Sequence, residues 1–235
     1  MKRHSLLILF ALLLAALPAI AQPQSNYLDV NALFATQPVK WSPADNSSQT
    51  AAELAELHRL HDTSSPTEAA QANADDKEAS VKLFRTPFGP AFADGSSQWS
   101  ATVTFFTRLD ADGGTVVNMV KDVFRRPRPG VRDTTLQMNC STPTGFSYPS
   151  GHAIQGYLAG MALVAMLPQR ANEIMKRADE FGHNRLVCGA HYASDVAASK
   201  VLAAKTLKVM RKNHDFHQDF EAARREVRRN LAGRN

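Results

Sequence analysis

The chain has 235 residues and a formal net charge of +5, and its length suits one domain of ordinary size with a sizeable hydrophobic core. No stretch beyond the first residues is long and apolar enough to cross a bilayer, so we predict no membrane span after them. Positive charge is concentrated from Lys200 onward, but Glu221 and Glu226 are interleaved there at helical spacing. This pattern favours a solvated helix face over a nucleic-acid site.

The N-terminal residues have the pattern of a secretory signal peptide. A short positive segment, Lys2 to His4, precedes a leucine-rich apolar run from Ser5 to Leu17. Ala19-Ile20-Ala21 then supplies the small-x-small pattern that signal peptidase reads, so we predict cleavage after Ala21 and a mature domain of residues 22–235. The alternative is a membrane anchor, which the short run and Pro18 disfavour because a span needs roughly 20 apolar residues.

The first half of the mature chain alternates helical patterns with turn signals. We predict extended, turn-rich chain over 22–47, a helix from about Ser47 that breaks at 63–66, and a second helix from Pro66 to about Arg85. Residues 97–109 have some β propensity but no pairing partner nearby, so a helix is expected. Asp110 to Gly114 reads as a turn, and an amphipathic helix follows over 115–126.

The second half contains an irregular, proline-rich segment over 127–149 and then four helical patterns. These cover about 152–167, 168–182, 191–213 and 216–231. The run from Ala153 to Leu167 is too short for a membrane span and predicts a buried core helix. One all-α domain, single and compact, is the expected fold.

Two cysteines, Cys140 and Cys188, remain in a chain that we expect to be exported. An even cysteine count in an oxidising compartment favours a disulfide bond between them. Two buried free thiols are the alternative.

A first chemically unusual segment is rich in cations. Lys121 lies inside an amphipathic helix, and Arg128 lies in the proline-flanked chain just after it. A point charge and a bidentate fork at one helix end suit an anion. Taken alone, the segment is more typical of a solvated basic face.

A second segment, Tyr148-Pro-Ser-Gly-His152, precedes the predicted core helix. Ser150 is a natural N-cap, and Gly151 lets a ligand approach the backbone closely. The free N–H groups of a helix N-terminus favour a phosphate. The alternative is an ordinary capped helix with an incidental histidine at His152.

A third segment runs from Asn184 to Asp195. His191 and Asp195 are four residues apart, so on a helix they would share a face and could hydrogen-bond. A carboxylate that holds one ring nitrogen fixes the tautomer and leaves the other nitrogen free to attack. Arg185 adds an anion fork, and a structural His–Asp pair is the alternative. Together the three segments fit phosphoryl transfer to an imidazole.

The three segments match Lys-x6-Arg-Pro, Pro-Ser-Gly-His and Ser-Arg-x5-His-x3-Asp. In these motifs the chain resembles the superfamily of class A bacterial nonspecific acid phosphatases, vanadium haloperoxidases and type 2 phosphatidic acid phosphatases. The likeness to the class A phosphatases extends from about residue 48 to about 220. It implies an all-helical, metal-independent and cofactor-free periplasmic phosphatase, active in acid on small phosphomonoesters and often a homo-oligomer.

The resemblance also implies a role for each matching residue. His191 would be the nucleophile that becomes phosphorylated, Asp195 its orienting partner, and His152 the general acid and then the base that activates water. The groups expected to hold the phosphate belong to Lys121, Arg128, Ser150, Gly151 and Arg185.

The chain departs from the family pattern at two positions. Asn184 stands where the third motif has serine, which is expected to alter a local hydrogen bond rather than the chemistry. Phe146 stands where class A relatives have glycine, and its ring is expected to narrow the leaving-group side of the pocket.

Other functions remain open at this point. A vanadate-dependent haloperoxidase would bind vanadate at His191, and a non-catalytic periplasmic phosphate- or anion-binding protein would keep the pocket without turnover. Zinc hydrolysis through His152, His191 and Asp195 would leave the cations unexplained. A soluble lipid phosphatase and a phosphotransferase would use the same pocket as the hydrolase.

Overall fold

Every regular element in the described part of the computed structural model is a helix, which confirms the predicted all-α fold class. The structure describes residues 26–36, 43, 46–78, 80–141 and 144–232. The predicted signal peptide of residues 1–21 lies outside the described residues. Within those ranges the α-helices, α1 to α10 in chain order, span Val30–Thr36, Ser48–Thr63, Pro66–Lys77, Arg85–Phe88, Ser100–Phe124, Pro129–Arg132, Gly151–Met166, Ala171–Val187, Ala193–Met210 and His214–Leu231.

Helix α7 lies at the centre of the core, as its sequence predicts. It carries no acidic or basic side chain other than His152, and residues such as Ile154 and Leu158 are fully buried. The helix packs against α5, α8 and α9. Because it is apolar on nearly all sides, it can be stable only where other helices surround it.

Two glycines in α7 allow α8 to approach it closely. A Cβ atom on Gly156 would lie 2.7 Å from the Phe181 ring, and one on Gly160 would lie 3.2 Å from the Cβ atom of Ala178. Close contact between these helices matters for the site, since α7 begins at the second motif and α8 carries the start of the third.

Helix α5 corrects one prediction, because it continues through the stretch Asp110 to Gly114 that reads as a turn. Asp112 is buried, and its carboxylate accepts hydrogen bonds of 2.7–3.1 Å from the backbone N–H groups of residues 26–28. Gly113 lies where a Cβ atom would be 2.9 Å from Leu158. The aspartate and glycine therefore serve tertiary contacts within a helix.

Other boundaries differ from the sequence predictions to smaller extents. Residues 22–47 were expected to lack a helix, but α1 begins at Val30, where the Asp29 carboxylate accepts a bond of 2.9 Å from the Ala32 N–H. The second predicted helix ends at Lys77, and a 3₁₀ turn, Ser80–Phe84, follows it. The start at Pro66 is correct, since Ser65 and Glu68 form a capping box.

The C-terminal helix α10 packs on α5. The buried carboxylate of Glu226 accepts bonds from the backbone N–H and the hydroxyl of Thr102, at 2.7 and 2.6 Å. Arg225, Arg228 and Arg229 lie on the exposed side of the helix. The basic residues thus occupy a solvated face, as predicted.

The predicted disulfide bond between Cys140 and Cys188 is present. It joins the irregular segment after α6 to the end of α8, and it closes a loop with a sequence separation of 48 residues. Within the described residues, no helix is both long and apolar enough to cross a membrane.

Removing the disulfide is expected to destabilise the fold. Closing a loop of this length stabilises by about 4 kcal/mol in the chain-entropy model, and its loss should lower Tm by on the order of 10 °C. The measurement is thermal unfolding of the wild type with and without reductant, and of a variant that combines Cys140→Ser with Cys188→Ser. Reductant should leave the variant's curve unchanged, and an unchanged wild-type curve would contradict the expectation.

Candidate active site

The fold brings the three sequence segments together around His191. This side chain is 2% exposed, in the short connection between α8 and α9. Its Nε2 atom lies 2.8 Å from a guanidinium nitrogen of Arg128, and its Nδ1 atom lies 2.8 Å from the carbonyl oxygen of Ser147. The prediction that the helix begins at His191 is wrong by two residues, since α9 begins at Ala193.

These two contacts fix the tautomer of His191. A carbonyl oxygen can only accept and a guanidinium can only donate, so Nδ1 carries the proton and Nε2 presents its lone pair. Burial lowers the pKa of His191 to about 3, and the charges on Arg128 and Arg185 also oppose protonation. His191 is therefore a neutral imidazole with a defined nucleophilic nitrogen.

Asp195 lies beside His191 but is not its closest partner. The Asp195 Oδ2 atom is 3.5 Å from Nδ1, farther than the Ser147 carbonyl oxygen. The same oxygen accepts bonds from the Ser147 hydroxyl and from the Tyr192 N–H. The expectation of a direct His–Asp bond is thus modified, because Asp195 supports the imidazole largely through Ser147.

A buried arginine that the sequence analysis missed holds Asp195. Arg126 is 2% exposed, donates to Asp195 at 2.6 Å and to Glu53 at 2.9 Å, and stacks over the Tyr192 ring at 3.8 Å. Burial alone would raise the pKa of Asp195, but the close contact with His191, the charge on Arg126 and the Ser147 hydroxyl together lower it. Asp195 is therefore an anion. The sequence signal that could have indicated Arg126 is the concentration of arginines in residues 125–128.

Arg128 is held by backbone carbonyl groups. Its guanidinium donates to Ala190 at 2.9 Å, to Thr144 at 3.1 Å and to Gly145 at 3.2 Å, besides its contact with His191. Burial lowers its pKa to about 10, and the nearby charge of Arg185 acts in the same direction. The Arg128 guanidinium is therefore fixed in place and is still charged at neutral pH.

Lys121 is the second cation of the site. It lies in the last turn of α5 and is partly buried, and its ammonium group makes no hydrogen bond to any described residue. Burial lowers its pKa to about 8, and the charges of Arg128 and Arg185 contribute to the shift. An ammonium group that lies near other cations and has no ion-pair partner among the described residues favours binding of an anion.

The second segment forms the N-terminus of α7. The Ser150 hydroxyl accepts a bond of 3.4 Å from the Ala153 N–H, which confirms Ser150 as the N-cap. A Cβ atom on Gly151 would lie 3.5 Å from Val117, which places the start of α7 beside α5. His152 is partly buried in the first turn, and burial lowers its pKa to about 4, with the Arg185 charge as the next cause.

Arg185, in the last turn of α8, is 1% exposed. One of its terminal nitrogens donates to the Asp76 carboxylate at 2.5 Å. Asp76 comes from α3, and the backbone carbonyl of the same residue lies 3.3 Å from His152 Nε2. Asp76 lies outside the three sequence motifs and had no predicted role.

The two departures from the family pattern have distinct surroundings. The Asn184 amide donates at 2.7 Å to the buried carboxylate of Asp75, which also binds Arg177. Asn184 thus makes a local structural hydrogen bond. Phe146 is partly buried, and the Arg125 guanidinium lies 5.9 Å from the centre of its ring.

The arrangement is suited to an anion that a nucleophilic imidazole can attack. Lys121, Arg128 and Arg185 supply positive charge, α7 supplies free N–H groups, and His191 supplies the lone pair. Within the described residues, no group of three or more His, Cys, Asp or Glu side chains is placed to hold a metal ion.

Known proteins similar to this chain include acid phosphatases. Residues 102–218 match the PAP2 superfamily. An acid phosphatase of Zymomonas mobilis is 40% identical over 81 residues, or 34% of this chain and 31% of the relative. Nonspecific acid phosphatases of Providencia stuartii and Salmonella typhimurium are 26% and 28% identical over 167 and 170 residues. These alignments cover 68% and 66% of this chain, and 67% and 64% of the relatives.

The lengths matched differ among these relatives. The chain spans about a third of the Zymomonas protein and close to two thirds of the other two. The longer alignments support similarity to acid phosphatases over about two thirds of this chain.

Arg126→Gln is expected to destabilise the fold strongly. It removes the charged partner of Asp195 and Glu53, and breaking a buried ion pair on one side costs about 3–5 kcal/mol. Urea unfolding would measure the loss. Arg59→Gln, which breaks the exposed pair with Glu56, is the matched control and should leave stability almost unchanged. Equal losses in both variants would contradict a special role for the buried pair.

Proposed function

We propose that this chain, whose residues 102–218 match the PAP2 superfamily, is a metal-independent acid phosphatase that hydrolyses phosphomonoesters through a phosphohistidine on His191. The observation that carries the proposal is the state of His191. It is a neutral imidazole whose Nδ1 proton is bound to a carbonyl oxygen and whose Nε2 lone pair faces the cations. A nucleophile for phosphorus needs this state.

In the first step, the Nε2 lone pair forms a bond to phosphorus and the bond to the leaving oxygen breaks. The phosphoryl oxygens accept hydrogen bonds from the side chains of Lys121, Arg128 and Arg185. Donor groups of Ser150 and Gly151 at the start of α7 bind them as well. His152 gives a proton to the leaving oxygen. The imidazolium that forms at His191 is stabilised by Asp195 and by the Ser147 carbonyl.

In the second step, a water molecule forms a bond to phosphorus and the bond to Nε2 breaks. His152, now neutral, accepts the proton of the water. An alcohol in place of water would give phosphotransfer by the same route. Phe146 is proposed to lie on the leaving-group side, where its ring restricts the alcohols that enter. Export to the periplasm and assembly as a homo-oligomer belong to the same proposal.

The test is an acid-quench assay on a panel of phosphomonoesters in the presence of EDTA. We expect turnover and a phosphoenzyme that is labile in acid and stable in base. His191→Ala should lower kcat by about four orders of magnitude or more, because the nucleophile is lost. Circular dichroism would check the fold of the variant.

His183→Ala is the matched control, since His183 is an exposed histidine on α8 outside the site. It should keep both turnover and phosphoenzyme. Phosphoenzyme in His191→Ala would remove His191 as nucleophile, and turnover that needs added metal would overturn the proposed mechanism.

Binding of a dianion is expected to take up a proton at His152. In the empty site the pKa of His152 is about 4, and a bound dianion raises it because it stabilises the imidazolium. Between the free and bound pKa values, affinity therefore increases as pH falls. This is how His152 becomes the general acid although burial keeps it neutral in the empty site.

Titration calorimetry with sulfate, in two buffers of different ionisation enthalpy, would measure this proton uptake. A pH of about 5.5 lies above the pKa of His152 and below that of Lys121, so Lys121 stays charged throughout. Uptake should disappear in His152→Gln. Equal uptake in the variant and the wild type would show that another group takes up the proton.

A further inference from the structure

Asp76 contacts two residues of the proposed active site at once. Its Oδ1 atom accepts from Arg185 at 2.5 Å, and its backbone carbonyl oxygen lies 3.3 Å from His152 Nε2. We infer that Asp76 is a positioning residue for Arg185 and His152, and that Ser141 and the Cys140–Cys188 disulfide hold Asp76 in place. The inference rests on the proposed function of this site.

Arg185 depends on Asp76 for its orientation. The guanidinium of Arg185 is buried, and its Nε atom has no hydrogen-bond partner. Within the described residues, the salt bridge that Arg185 makes is the one with Asp76. The nitrogen that binds Asp76 also lies 3.9 Å from the Cys188 sulfur. A long side chain held at one nitrogen keeps its remaining N–H groups directed at a ligand only while that contact persists.

His152 receives its tautomer from the same residue. The Asp76 carbonyl oxygen can only accept, so Nε2 of His152 carries the proton and Nδ1 is left to exchange a proton with the substrate. A general acid works only if the ring is held within hydrogen-bond reach of the leaving oxygen. The Asp76 backbone thus sets which nitrogen faces the substrate.

A set of contacts fixes Asp76 between α3, the irregular segment and α8. Ser141 follows Cys140 in the chain, and its hydroxyl donates to Asp76 Oδ2. The Asn73 amide donates to the Asn139 carbonyl at 3.2 Å, and the Asn139 amide donates to the Val187 carbonyl at 3.0 Å. The disulfide closes this arrangement by joining the segment to the end of α8.

The charge of Asp76 is part of this role. Burial alone would raise the pKa of Asp76, but the bonds from Ser141 and Arg185 and the charge on Arg185 lower it. The charged groups that act on His152 are Asp76 from α3, Arg185 from α8 and Arg128 from the chain before α6, and of these only Asp76 favours protonation. Loss of this carboxylate should therefore make His152 harder to protonate.

The neighbouring residue provides a matched control. Asp75 is more fully buried than Asp76, but its carboxylate binds Arg177 and Asn184, which lie outside the catalytic groups. Asp75→Asn and Asp76→Asn therefore make the same chemical change at adjacent positions. Only the second should alter catalysis beyond any loss of stability.

The experiment compares kcat, the affinity for inorganic phosphate, and the NMR titration of His152. In Asp76→Asn we expect kcat to fall about 10- to 100-fold, since Arg185 and His152 lose their alignment. Phosphate should bind at least as tightly as in the wild type, because one negative charge near the cations is gone. The His152 titration should move to lower pH, and so should the decline of kcat on the basic side.

Asp75→Asn should lower Tm. Its kcat should stay within about twofold of the wild-type value, and its His152 titration should match that of the wild type within error. Ser141 is exposed, so Ser141→Ala tests the proposal even if Asp76→Asn does not fold. Ser141→Ala should lower kcat without lowering Tm. An unchanged kcat in the folded Asp76→Asn variant, or in Ser141→Ala, would overturn the inference.

The two proposals fail in distinguishable ways. If the wild type binds phosphate but forms no phosphoenzyme, the proposed function fails. The His152 titration then still decides the role of Asp76, because it needs no turnover. A titration that is the same in Asp76→Asn and the wild type would overturn the positioning role alone.

Discussion

The buried ion pair between Arg126 and Asp195 is the contact on which the rest of the site depends. Asp195 is fully buried, and Arg126, 2.6 Å away, supplies the positive charge that balances its carboxylate. The same arginine binds Glu53 from α2, and its backbone carbonyl accepts from the Ser147 N–H at 2.8 Å. The pair thereby ties α2, the chain after α5, and α9 to the loop that orients His191.

The site also concentrates like charge, which opposes folding. Lys121 and Arg128 have lowered pKa values because both are buried near other cations. Such a site can persist only where the surrounding structure is stable enough to offset the repulsion. That stability comes from elements away from the chemistry: the apolar helix α7, the packing of α10 on α5, and the disulfide.

Much of the site could be predicted from the sequence because its groups stand at short, fixed spacings within three segments. Ser150 could be recognised as a cap, and Cys140 and Cys188 as a pair, since each rests on a local or compositional rule. Arg126 and Asp76 could not be found in this way. Their partners lie 69 and 109 residues away along the chain, and only the folded structure brings them together.

The error at α5 has the same cause. Asp110 to Gly114 has the composition of a turn, and local propensity alone favours one. The fold overrides that preference, because Asp112 caps the backbone near residue 26 and Gly113 admits Leu158. The polar, glycine-rich stretch therefore serves tertiary contacts within a helix. Rules based on local sequence preference cannot predict such contacts.

The balance of charge in the site explains why its ligand should be a dianion. Arg126 is paired with Asp195 and Glu53, and Arg185 with Asp76. Lys121 and Arg128 have no carboxylate at ion-pair distance among the described residues, and His152 and His191 are neutral. Two cations are thus left to pair with a ligand. A phosphomonoester dianion supplies a negative charge for each of them, whereas a phosphodiester supplies only one, so the monoester is the better-matched ligand in a site where burial makes unpaired charge costly.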